Sequence, residues 1–199
     1  MGRLKQHLAG GSAANEQLTA IVAALLILLL AVEGATILHI GSLLTVHAFV
    51  GMLLIPLVAL KLASTGWRAL RYYGRAEEYV ERGPPHVFLR SLVAPLVVLS
   101  TIVVFGTGVA LLALDRRHGA LVGLHKASFI VWLGAAGIHV LAHLPELPRQ
   151  LSRRVPGVGA RLAVVGATLL TGVAVAVATL PSADRLQDHA SATFGIDGR

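Results

Sequence analysis

The chain reads as an all-α integral membrane protein, a bundle of five transmembrane helices of which four form a cofactor-binding bundle. Three observations predict this class. Of the 199 residues, 55% are hydrophobic and 14% are charged, against about 45–50% apolar and about 25% charged in soluble domains. The mean hydropathy is +0.75. Five apolar runs each reach the roughly 20 residues that cross a bilayer, and most Lys and Arg residues fall between them.

The first span covers 18–40. Its apolar stretch exceeds the 7–15 residues usual in a signal peptide, so it reads as a retained helix. The second covers 43–65 and continues as a more polar helix toward Tyr73. Gly83-Pro84-Pro85 breaks the chain before the third span, 88–114. The fourth span is 121–144 and the fifth 160–180. The chain thus divides into an N-terminal segment (1–17), a five-helix domain (18–180) and a short polar tail (181–199) expected to be poorly ordered.

Orientation follows the Lys/Arg bias. Arg3 and Lys5 precede the first span, Arg68, Arg71, Arg75, Arg82 and Arg90 surround the second connection, and Arg149, Arg153, Arg154 and Arg161 the fourth. The N-terminus is therefore expected in the cytoplasm and the C-terminus outside, in a multi-pass protein of the cell membrane. Arg116 and Arg117 in the third connection dissent. The net charge of +7 sits between hydrophobic runs, so it fits topology and anionic headgroups rather than nucleic acid.

The absence of cysteine removes disulfides, Cys-ligated iron–sulfur clusters, thiolate-ligated haem and covalent haem attachment. No G-x-S-x-G, H-E-x-x-H or phosphate-binding glycine loop points to a hydrolase or transferase.

The histidines carry the chemistry. His125 and His139 lie 14 residues apart in one span, and His47 and Lys61 lie 14 apart in another. Fourteen residues fall about 40° short of four turns and rise roughly 21 Å, so each pair shares a helix face and reaches both sides of a bilayer. Imidazole is costly in lipid and is a common haem-iron ligand. Two antiparallel helices with ligands at matched depth could clamp a flat macrocycle between them, as helical bundles often do. His47 and His125 are the matched pair at the outer level. Gly51, one turn after His47, leaves room for such a group, although glycine also serves helix packing.

At the inner level His139 faces Lys61, with His86 and His143 as alternative partners. Lys61, Arg68 and Arg71 suit headgroups or the propionates of a haem. His39 is a spare candidate at the outer level; His7, His118 and His189 lie in polar segments. Glu33 is the one acid inside a span, so it should be protonated, paired or turned into the bundle. Its roles would be proton transfer, binding a quinol hydroxyl, or a hydrogen bond to Thr36, His39 or a histidine of the second span.

On TVHAFVG around His47 and LHKASFIVWLGAAGIHVLAH around His125 and His139, the chain resembles the membrane-bound b-type cytochromes. These include cytochrome b of the bc complexes and the haem-b anchors of formate dehydrogenases and hydrogenases. The resemblance covers about 18–144 and leaves out the fifth span and the tail. It implies non-covalent haem b. Three of four ligand positions are matched, by His47, His125 and His139, while Lys61 stands at the fourth. One haem is therefore expected, and two if the inner site is real. The implied function is an electron-transfer subunit rather than a stand-alone enzyme. It would relay electrons between a quinone pool and a redox partner protein or larger membrane complex. A proton-coupled transporter or channel using Glu33 and Lys61, and a structural subunit of a complex, are the competing classes.

Overall fold

The computed structural model describes residues 11–80 and 89–194, all their regular structure being helical. The helices are α1 (Gly11–Leu38), α2 (Ile40–Tyr73), the short α3 (Glu77–Val80), α4 (Ala94–Ala113), α5 (Ala120–His143), the short α6 (Leu147–Ser152) and α7 (Val158–Phe194). A π turn, Leu89–Val93, leads into α4, and a 3-10 turn, Leu144–Glu146, links α5 to α6. Among the described residues five helical stretches are long and apolar enough to cross a membrane. This agrees with the five spans and the all-α class read from the sequence.

Local chemistry accounts for the boundaries. Pro95 sits in the first turn of α4, where its missing N–H costs nothing. Gly119 enters α5 with φ +93 and Gly157 precedes α7 with φ +79, conformations that L side chains resist. Pro56 and Pro181 lie inside α2 and α7, a placement that membrane helices tolerate.

The core gathers Val22 and Leu26 of α1, Leu53, Leu54 and Leu57 of α2, and Val165 and Ala176 of α7. The helix pairs α2–α7, α1–α2 and α4–α5 pack along their lengths. Gly172 allows the α2–α7 contact: a Cβ there would stand 2.5 Å from the Leu53 carbonyl oxygen. Small residues of this kind let membrane helices approach closely. The fifth span is thus part of the core.

Two expectations are corrected. The stretch from 181, expected to be a poorly ordered polar tail, continues α7 to Phe194. Ala183 and Leu186 are buried against Leu112, and Gln187 clamps the start of α2. Its Oε1 accepts from the Leu44 and Thr45 amides at 2.9 and 3.3 Å, and its Nε2 donates to the Gly41 carbonyl at 2.7 Å. Leu43 departs from helical geometry there (φ -114, ψ 19), so backbone groups need these partners.

The second correction concerns direction. His47 and His125, both near the first turns of their helices, are brought face to face. Lys61, 14 residues after His47, lies within electrostatic reach of His139, 14 residues after His125. The helices α2 and α5 therefore run parallel, because a single span, α4, reverses the chain between them. α5 packs along α4 and stands off from α2. The space between α2 and α5 is where the candidate site lies.

Candidate functional site

A cavity of about 540 Å³ opens between α1, α2, α4 and α5, within the usual range for a cofactor or drug-sized ligand. Its walls are mostly apolar, with Phe105, Met52, Leu54 and Phe129 among them. Glu33, His47, Gly51 and His125 line it, together with Arg116, Arg117, His118 and Lys126 at the α4–α5 connection.

The two half-buried imidazoles face each other, with centroids 6.4 Å apart and ring planes at 82°. A metal held in line between two imidazole nitrogens, at about 2.0–2.1 Å from each, would separate the centroids by roughly 6–6.5 Å.

Each ring is oriented through Nδ1. His125 Nδ1 lies 3.0 Å from the Val104 carbonyl and 3.0 Å from Thr107 Oγ1. A carbonyl only accepts, so Nδ1 carries the proton. His47 Nδ1 lies 3.0 Å from Glu33 Oε1 and 3.0 Å from Thr36 Oγ1. Thr36 spends its own hydroxyl proton on the Glu33 carbonyl at 2.6 Å, leaving a lone pair for the imidazole. Both histidines are therefore Nδ1–H tautomers with a basic Nε2. Ligating histidines are commonly prepared in this way, by giving the other ring N–H to a carboxylate or carbonyl.

Glycines shape the space. A Cβ on Gly108 would stand 3.2 Å from His125 Cε1, a tight contact from which the ring would have to give by a few tenths of an ångström. A Cβ on Gly51 would lie 3.5 Å from Glu33 Oε1. Trp132 Nε1 donates to Thr101 Oγ1 at 3.0 Å and pins α5 to α4 below the site.

At the other end of the bundle the expected partners do not converge in the same way. Lys61 Nζ donates to the Thr19 carbonyl at 3.0 Å and so binds α2 to α1. It does not line the cavity, nor do Arg68 and Arg71. Arg68 lies within electrostatic reach of Lys61 and His143, while the Arg71 guanidinium stands 5.8 Å from the Trp67 ring. His139 sits beside His143, centroids 4.7 Å apart, with its Nδ1 buried and without a hydrogen-bond partner among the described residues. His39 is exposed at the start of α2. His7 and His86 lie outside the described residues, as does the side chain of His189.

Among the described residues no group of three or more His, Cys, Asp or Glu could hold a metal ion by itself. A haem asks for only two protein ligands, since its macrocycle supplies the rest. Sequence reasoning marked Gly108 among the glycines that leave room for a macrocycle or a close helix, and missed Val104 and Thr107. It also took Arg116 and Arg117 as topological dissent, where the fold places them on the cavity wall. The adjacent Thr107-Gly108 pair, polar and small inside an apolar span, was the available signal.

The chain matches no protein-family model, no curated protein and no solved structure.

Proposed function

We propose that the chain is a b-type membrane cytochrome that binds one haem b in the cavity between α2 and α5. When bound, that group supplies a one-electron ferric–ferrous couple with no open coordination site for a substrate. The observation that carries this reading is the His47–His125 pair, 6.4 Å apart, each ring already hydrogen-bonded through Nδ1.

The residues present fit such a group. His47 and His125, both lining the cavity, would each offer Nε2 to the iron. Val104, Thr107, Thr36 and Glu33 hold those rings in the ligating tautomer. Gly51 and Gly108 keep the space clear, and most of the wall is apolar. Arg116, Arg117 and Lys126 are the cations suited to the acidic edge of the macrocycle. Each transfer moves one electron and breaks no bond in the chain.

The Lys/Arg bias supports a cell-membrane protein with a cytoplasmic N-terminus and an extracytoplasmic C-terminus. The cavity would then lie toward the outer face. A quinone pool and a redox protein or larger complex are the partners that this role asks for. With Lys61 engaged by Thr19, the reading assigns one haem to the chain.

A dithionite-reduced minus oxidised absorption spectrum of the purified protein tests the proposal. It should show a sharp b-type α-band, absent from His47→Ala and His125→Ala. A colourless protein after expression with ample haem would overturn it.

A further inference from the structure

The two facing histidines are held by unlike partners. Each has a threonine hydroxyl 3.0 Å from Nδ1, Thr36 for His47 and Thr107 for His125. The second partner differs: a peptide carbonyl, Val104, for His125, and the Glu33 carboxyl, 3.0 Å away, for His47. Glu33 reaches across from α1 with its side chain only 14% exposed. Its Oε2 is buried without a hydrogen-bond partner among the described residues, so His47 is the contact that fixes this carboxyl. An acid inside an apolar span is costly unless it has a role.

A carboxylate oxygen draws the Nδ1 proton more strongly than a peptide carbonyl does. The imidazole then becomes the better electron donor at Nε2. A more basic axial ligand stabilises the oxidised form of a bound metal relative to the reduced form. We infer that Glu33 is a positioning residue for His47 that makes the two histidines unequal as donors and would lower the reduction potential of a haem held between them. The inference rests on the cytochrome reading above.

The test is spectroelectrochemical titration of the full chain in detergent, with haem content and low-spin electron paramagnetic resonance measured on the same samples. Glu33→Gln keeps the size of the side chain and an oxygen to accept from Nδ1, so it should retain haem and the low-spin signal. Its midpoint potential should shift positive and its g-values should move. Glu33→Asp, which draws the carboxyl back from the ring, should shift the potential in the same direction, by less. Asp serves as the measurement if the Gln variant fails to fold. A haem-replete variant with the wild-type potential and g-values would overturn the role of Glu33 while leaving the cytochrome reading intact. A colourless wild-type protein would overturn both.

Discussion

His47 of α2 and His125 of α5 stand 6.4 Å apart with ring planes at 82°, although α2 and α5 do not pack along each other. Their rings meet across a cavity that other helices hold open. α4 carries α5, and its Val104 and Thr107 aim His125; α1 supplies Glu33 and Thr36 to aim His47. Two helices thus present the rings and two others orient them.

Removing either ring should empty the site without unfolding the bundle. His47→Ala and His125→Ala should each lose the reduced α-band while keeping the helical circular dichroism of the wild type. Added imidazole should restore part of the band, because it can fill the space the side chain leaves. Retention of the full band in either variant would remove that histidine from the ligand set.

Gly108 should be far less replaceable than its neighbour Gly106. A Cβ at Gly108 meets His125 Cε1 at 3.2 Å, whereas one at Gly106 meets nothing within 4 Å. Gly108→Leu should sharply reduce haem content and Gly108→Ala should reduce it less. Gly106→Ala should leave it unchanged. Pyridine haemochrome assays of the three proteins decide this.

Gln187 should stabilise both the fold and the site. It satisfies backbone groups of Gly41, Leu44 and Thr45, just ahead of His47. Gln187→Leu leaves those groups unpaired and should cost about 1–3 kcal/mol, read as a lower thermal midpoint in detergent. It should also speed haem loss to an acceptor protein.

Gly172→Ala should weaken the α2–α7 contact. The added methyl would fall 2.5 Å from the Leu53 carbonyl oxygen, and forcing such overlaps typically costs about 1–3 kcal/mol. Because neither Gly172 nor Leu53 lines the cavity, the thermal midpoint should fall while the absorption spectrum keeps its shape.

Much of this arrangement was legible in the sequence. Apolar run length placed the five spans, and the position of His47 and His125 near the same ends of their helices placed them level. The burden of an acid in an apolar span marked Glu33 as turned inward, and the structure finds it on His47, one of the partners open to it. Other features depend on packing, which a linear pattern does not carry. Nothing local to Thr107 shows that α5 lies against α4 with His125 pointing at it. Arg116 and Arg117 have the composition of any connecting loop. The polarity of the stretch from Ser182 to Gln187 suggested a solvated tail, yet that polarity caps the α2 turn. Lys61 matches the spacing of a ligand, and its nearest acceptor is instead the Thr19 carbonyl of α1.

The most direct test of the central claim is low-temperature electron paramagnetic resonance of the oxidised wild-type protein. Two imidazole ligands with nearly perpendicular planes leave two metal d-orbitals almost degenerate. The account therefore predicts a single low-spin species of strong g-anisotropy, its low-field feature well beyond that of parallel rings. A high-spin signal, or a protein with no haem signal at all, would contradict ligation by His47 and His125.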